Sequence, residues 1–171
     1  SAIVRKGKYG LTADDATTIC FASQIHDIGK LCISDQYLNN TRINGESEFE
    51  REAVKTHTTL GADMLSKVTQ LSEGENNFLH YAHNMCRSHH ERWDGKGYPD
   101  RLDGESIPIE ARVLSIVNAY DNLRNIAAAG SKALSHQEAL MKIKFMKFTC
   151  FDPILTDIFL SVESEIESVA G

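Results

Sequence analysis

Proline is scarce and glycine sparse, with three and eleven residues in a chain of 171. With so few breakers, and apolar residues recurring at helical rather than alternating spacing, the chain reads as nearly all α-helix, and no strand is predicted. Basic charge is also short: Lys+Arg number 18 against 24 Asp+Glu, a formal net charge of −6, with a pI near 5.6. Such a chain offers no field to a long polyanion, so extended nucleic acid is excluded as a partner and any phosphate ligand must be met locally. Paired cysteines are missing. Cys20, Cys32, Cys86 and Cys150 lack the spacing of a zinc knuckle or redox motif, which suits free thiols in a reducing compartment, the cytoplasm. No long apolar run, signal peptide or lipidation motif is found, so direct membrane insertion is not expected.

What is present is ordinary for a globular protein. Hydrophobic residues make up 42% and charged residues 25%, which excludes a disordered or collagen-like chain. At this length one domain buries a core without a disulfide or metal staple, so a metal here would serve chemistry. Repeats, low-complexity runs and linkers are absent, and a single domain over residues 1–171 is expected.

The spacing predicts a first helix from Thr12, capped by its hydroxyl with Asp15 completing a capping box, to Gly29, with Ile19, Ala22 and Ile25 on its apolar side. A single helix is predicted from Glu48 to Leu71, its stripe formed by Ala53, His57, Leu60, Met64, Val68 and Leu71. A third, Glu75 to Glu91, aligns Phe78, Ala82, Met85 and His89. The loop Trp93 to Pro108 leads to a fourth helix with Val113, Ile116, Val117 and Tyr120 inward, and two more follow near Ser135–Lys147 and Pro153–Val169. Glu46, Glu48, Glu50, Arg51 and Glu52 read as a solvated, dipole-complementing helix start.

Four of the seven histidines fall where packing explains them poorly: His26 beside Asp27 at a helix end, His57 on an apolar stripe, and the adjacent pair His89 and His90. Neutral imidazole with carboxylate suits first-row divalent ions such as iron or manganese, and one carboxylate, Asp27, can bridge two of them. The plainer alternative stays open: a histidine on an apolar stripe is more often a hydrogen-bonded core residue. Neighbouring histidines on a helix also point about 100° apart, so both face one site only where the helix end turns them.

The run His26-Asp27-Ile28-Gly29-Lys30, then Lys55-Thr56-His57, then His89-His90-Glu91-Arg92-Trp93-Asp94-Gly95-Lys96-Gly97-Tyr98-Pro99, and on through Gly104-Glu105-Ser106-Ile107-Pro108, resembles the HD-GYP family over about residues 11–160. The resemblance implies an all-α HD-superfamily helical bundle that hydrolyses cyclic di-GMP, to linear pGpG and/or GMP, as the output domain of a longer bacterial signalling protein. It also implies His26, Asp27, His57, His89 and His90 as ligands of two divalent ions, with Asp27 bridging and Lys30 facing the scissile phosphate. Gly97, Tyr98 and Pro99 become candidates for substrate contact, and their loop for contact with GGDEF-type or receiver signalling domains. Trp93 is expected to pack in the core rather than stack on a base.

Three departures stand out. Asn118 replaces an aspartate ligand, offering only a neutral carbonyl oxygen; Asp121 is taken as structural. After Asp121-Asn122-Leu123 an Arg-Pro-Tyr-Lys stretch is replaced by Arg124-Asn125-Ile126-Ala127-Ala128-Ala129-Gly130, and Arg124 does not correspond in position. Few residues precede His26, which favours two ions over three. A competing expectation is therefore a degenerate domain that binds a cyclic dinucleotide or partner without efficient turnover, and a further one is the same chemistry on hybrid cyclic GMP-AMP. Of the other polar residues, His80 and His83 are placed at the surface or beside the ligands, His136 at the surface, and Glu91 and Asp94 as acceptors for the ligand imidazoles.

Overall fold

The computed structural model describes residues 2–40, 47–71, 76–125 and 133–170, apart from the side chains of 39, 40, 71, 169 and 170. The helices in chain order are α1 (Ala2–Lys6), α2 (Ala13–Ala22), α3 (Asp35–Asn40), α4 (Glu48–Lys55), α5 (His57–Leu71), α6 (Asn77–Ser88), α7 (Ile109–Asn125), α8 (His136–Phe145), α9 (Pro153–Leu160) and α10 (Glu163–Ala170). Short 3-10 turns cover Ser23–Ile25, Ile28–Cys32 and Gly104–Ser106. Among the described residues there is no strand, only one isolated bridge between Lys147 and Phe151. The all-α class read from the sequence holds.

Thr12 caps α2 as its capping box requires, and Asp15 also accepts from the Tyr81 hydroxyl of α6 at 2.8 Å. That bond ties the start of α2 to the middle of α6. Ile19 and Ala22 of α2 then pack with Leu65 of α5, with Leu79, Ala82, Met85 and Cys86 of α6, and with Leu114 of α7. A second cluster gathers Ile116 and Tyr120 of α7, Ala139, Leu140 and Ile143 of α8, and Phe151, Leu155 and Ile158 around α9. Helix α7 contributes to both, so its register joins the two halves of the core.

Several predicted elements are redrawn. The first helix stops at Ala22 rather than Gly29, and the chain then turns through two 3-10 segments flanking His26 and Asp27. The predicted helix 48–71 is broken at Thr56, whose hydroxyl donates to the Ala53 carbonyl at 2.6 Å. Its buried residues are His57, Thr58, Gly61, Ala62 and Leu65, whereas Val68 is exposed. The third helix ends at Ser88, leaving His89 and His90 just beyond it; its predicted start, Glu75, lies outside the described residues, as do Glu46 and 126–130. Val117 is exposed, and the last predicted helix is interrupted between Leu160 and Glu163. His136 is buried, with the Tyr120 hydroxyl 2.7 Å from its Nδ1, so it belongs to the core and not to the surface. The four cysteines are free thiols, and no described helix is long and apolar enough to cross a membrane.

Gly29 decides where the His26–Asp27 turn lies. A Cβ built there would stand 2.0 Å from the His57 carbonyl oxygen and 2.6 Å from the Gly61 nitrogen. Only a residue without a side chain lets that turn press against α5. Both obstructing groups are backbone, so relief needs movement of α5 itself. Gly29→Ala is therefore expected to lower the melting temperature by roughly 5–10 °C, from about 1–3 kcal/mol of overpacking in a chain of this size. Differential scanning calorimetry reads it, and an unchanged melting temperature would contradict the close packing.

Candidate metal centre

Three histidines share one arrangement. His26 directs Nδ1 at the Ser23 carbonyl, His57 at the Val54 carbonyl and His89 at the Met85 carbonyl, each at 2.7 Å. A carbonyl oxygen only accepts, so Nδ1 carries the proton in each ring and the neutral ring presents a lone pair at Nε2. All three Nε2 atoms point at Asp27. His57 and His89 stand 3.3 and 3.6 Å from Oδ1, and His26 stands 3.4 Å from Oδ2. The His57 and His89 Nε2 atoms are 3.4 Å apart.

Lone pairs aimed at a carboxylate, and at one another, repel unless positive charge lies between them. Consistent with this, His26 Nε2 and Asp27 Oδ1 are buried with no hydrogen-bond partner among the described residues, an expensive state for polar atoms. The ligand atoms of His57, His89 and His90 lie within 4.8 Å of one another, and so do those of His26, Asp27 and His89. The two groups share His89. This donor set of neutral imidazole and carboxylate, with its backbone-fixed tautomers, fits a first-row divalent ion.

Each local fold element contributes one part. The end of α2 and its 3-10 turns place His26, Asp27 and Lys30; the break at Thr56 puts His57 at the first position of α5; the end of α6 releases His89 and His90 together. That helix end is how two adjacent histidines reach one site, since their ring centroids come within 4.1 Å. Lys30 Nζ donates to Asp27 Oδ2. The Tyr98 ring stacks on His90, centroids 4.8 Å apart and planes at 18°. The Tyr98–Pro99 peptide is cis, and Gly97, Tyr98 and Pro99 line a polar cleft beside the centre.

Other predicted residues fall elsewhere. Asn118 on α7 accepts through Oδ1 from Asn122, one turn along the same helix, at 3.1 Å. Arg124 donates to the Leu134 carbonyl and Asp121 accepts from Asn125. His80 and His83 contact Asn84, not the cluster. Glu91 and Asp94 do not serve the imidazoles as predicted: Asp94 pairs with Arg92, and buried Glu91 accepts from the Asp100 backbone N–H at 2.7 Å. Trp93 is half-buried, with the Arg112 guanidinium 5.9 Å from its ring. Sequence reasoning passed over the stack of Tyr98 on His90 and the hold of Glu91 on the loop, for which the only signal was their place inside the matched run.

The charge states follow from this packing. Burial pushes His26, His57 and His90 below the ordinary imidazole range, His90 to about 2 with further repulsion from His89 and His57. Burial alone would raise Asp27, but the Lys30 ammonium donating to its Oδ2 holds it well below the usual carboxylate range. His26, His57 and His90 therefore stay neutral beside the Asp27 carboxylate.

The sign of the pH dependence is fixed by these shifts. Below about pH 6.5 the unfolded chain takes up protons that the folded histidines refuse, so stability falls with falling pH, while the Asp27 contribution persists until below about pH 4. In EDTA the melting temperature should drop between pH 7.5 and 5.5, and drop less in His90→Gln. Calorimetry across that range checks this, and a flat profile in the parent protein would contradict it.

The HD domain family profile matches residues 6–155. Among curated proteins, a cyclic di-GMP phosphodiesterase response regulator of Xanthomonas campestris pv. campestris is 32% identical over 162 residues, covering 95% of this chain and 40% of that protein. A cyclic di-GMP phosphodiesterase of Thermotoga maritima is 32% identical over 161 residues, covering 94% of this chain and 41% of its own length. A 3'3'-cGAMP-specific phosphodiesterase of Vibrio cholerae is 34% identical over 116 residues, covering 67% and 20%. The chain thus spans well under half the length of these relatives. With the profile matched over most of its residues and its HD-GYP resemblance in agreement with the names of these relatives, the chain belongs to the HD domain family.

Proposed function

We propose that this domain hydrolyses cyclic di-GMP to linear pGpG and/or GMP at two divalent ions, iron or manganese, held by His26, Asp27, His57, His89 and His90. The observation that carries the proposal is the convergence of three backbone-fixed Nε2 lone pairs on Asp27, with His26 Nε2 and Asp27 Oδ1 buried and unpartnered among the described residues. The names of the relatives supply the substrate. When bound, such ions polarise phosphoryl oxygens and acidify an attacking water.

The residues themselves divide the remaining work. Asp27 faces different partners with its two oxygens, Oδ1 toward His57 and His89 and Oδ2 toward His26 and Lys30, so this carboxylate would help to hold the ions together with the ligands on either side. His57 and His89 are almost wholly shielded from solvent, so their geometry is held by the core and costs little reorganisation on binding. Lys30 brings a point charge to the same carboxylate and stabilises negative charge as it builds on the scissile phosphate. Gly97, Tyr98 and Pro99 face the substrate side. Asn118 is the weakest ligand candidate, its oxygen being engaged with Asn122.

That engagement, with Arg124 tied to Leu134, favours one second reading, a degenerate domain that binds cyclic dinucleotide or a partner without efficient turnover. The same proposal makes the domain the cytoplasmic output unit of a longer chain. Free thiols suit that compartment, and the response-regulator name of the Xanthomonas relative supports coupling to a receiver, with a GGDEF-type domain as the other candidate partner.

Anaerobic incubation of iron- or manganese-loaded protein with cyclic di-GMP and, separately, hybrid cyclic GMP-AMP decides between these readings. Chromatography should show linear product from cyclic di-GMP, with kcat lowered at least about 100-fold in His89→Ala. A silent parent rescued by Asn118→Asp would establish the degenerate reading. Silence in both despite bound metal would overturn the phosphodiesterase proposal.

A further inference from the structure

Beside the centre lies a polar cleft of about 610 Å³ between the α4–α5 junction and the loop 95–101, a volume in the range of small-ligand sites. Tyr98 forms its common wall with the centre, through the stack on His90. Three cationic residues, Lys55, Lys96 and Arg101, and one carboxylate, Glu52, line it. This concentration of positive charge stands out in a chain of net charge −6.

Arg101 is the most informative of these. Its φ of +57° lies in the left-handed region, which bulky residues avoid. The surroundings impose it from two sides. Arg87 holds the Asp100 carboxylate in a two-pronged pair at 2.7 and 2.8 Å, and buried Glu91 accepts from the Asp100 N–H. Gly97 permits the approach, since a Cβ there would meet Arg92 nitrogen and Glu91 Cα at 2.4 Å. The Arg101 side chain is exposed and makes no ion pair or hydrogen bond with any described residue, although its backbone is held in a costly conformation at the mouth of a cleft. Lys55 approaches from the other side, its Nζ 5.3 Å from the Tyr98 ring centroid and 2.6 Å from Glu52 Oε1. Tyr98, covered by His90 on its stack and approached by Lys55, has little free face for a base, which leaves anion binding as the chemistry of the cleft.

We propose that Lys55, Lys96 and Arg101 bind the second, uncut phosphate of a cyclic dinucleotide while the first is at the centre. The inference rests on the phosphodiesterase proposal and deepens it. A cyclic dinucleotide carries two phosphodiesters in one covalent ring, so the uncut one must sit within a ring's width of the cut one, and the cleft sharing the Tyr98 wall is placed there. Guanidinium and ammonium groups match phosphate oxygens. Lys55 exchanges its Glu52 partner for the ligand, a rim ion pair of little worth. These cations supply locally what a basic stretch after Leu123 would supply from elsewhere.

The test uses Arg101→Gly, which suits the left-handed backbone and so removes the guanidinium without disturbing the loop, together with Lys55→Gln. In the metal-loaded protein each should raise KM for cyclic di-GMP about tenfold with kcat changed less than twofold. The KM for bis(p-nitrophenyl) phosphate, which has a single phosphodiester and no second phosphate to bind, should change less than twofold. Retention of labelled cyclic di-GMP by equilibrium dialysis in EDTA should fall by a similar factor, and Arg101→Lys should recover most of it. Unchanged retention and unchanged KM for cyclic di-GMP in both variants would overturn the cleft assignment, as would an equal loss on both substrates. If the parent hydrolyses neither substrate, the phosphodiesterase proposal fails, and dialysis alone still decides for or against anion binding in the cleft.

Discussion

Everything at this centre depends on the opposition between one carboxylate and the lone pairs of the imidazoles around it. Asp27 faces Nε2 atoms of three rings whose protons are committed to backbone carbonyls on their far sides. Protonating the rings would relieve the opposition, but burial disfavours the charged imidazole at His26, His57 and His90. The arrangement is thus electrostatically incomplete by itself and fits completion by a cation. The carbonyls that fix the tautomers belong to residues three or four positions earlier in the chain, so the helix ends that place each ring also decide which nitrogen it offers.

The rest of the fold can be understood as what holds that opposition in place. Gly29 lets the His26–Asp27 turn press on α5, Thr56 breaks the chain so that His57 begins that helix, and α6 ends just before His89. Behind these, α2, α5 and α6 close around Ala22, Ala62, Ala82 and Met85, which are fully buried. Small residues at the contacts bring the helices close enough for side chains from three elements to meet. On the far side Arg112, buried and paired with Asp152 at 2.8 Å, anchors α7 to the start of α9 and approaches the Trp93 ring. The loop that carries Tyr98 is therefore supported from both halves of the core.

Much of this was legible in the sequence, for identifiable reasons. The Thr12–Asp15 capping box is a local motif and formed as expected, and Phe78, Ala82, Met85 and His89 share a face because helical spacing requires it. The distribution of the histidines suggested a metal but left a core role open, the HD-GYP resemblance supplied the set around Asp27, and the described side chains meet there. The helix break at Thr56 was hidden because no proline or glycine marks it and the apolar stepping stays in phase across it. Likewise α2 ends at Ala22 because the turn must dock on α5, a tertiary demand without local signal. His136 looked solvated from its helix-start position, and only its bond with Tyr120 reveals it as core. The grip of Glu91 on the Asp100 backbone is a contact nine residues apart across a loop, which no periodicity reports.

The most direct measurement is anomalous diffraction from crystals of the protein grown with manganese. The account expects peaks within about 2.0–2.4 Å of the Nε2 atoms of His57 and His89 and of the Asp27 carboxylate, with His26 and His90 completing the set. Manganese bound elsewhere, or these five side chains retaining their positions with no peak at saturating metal, would contradict it.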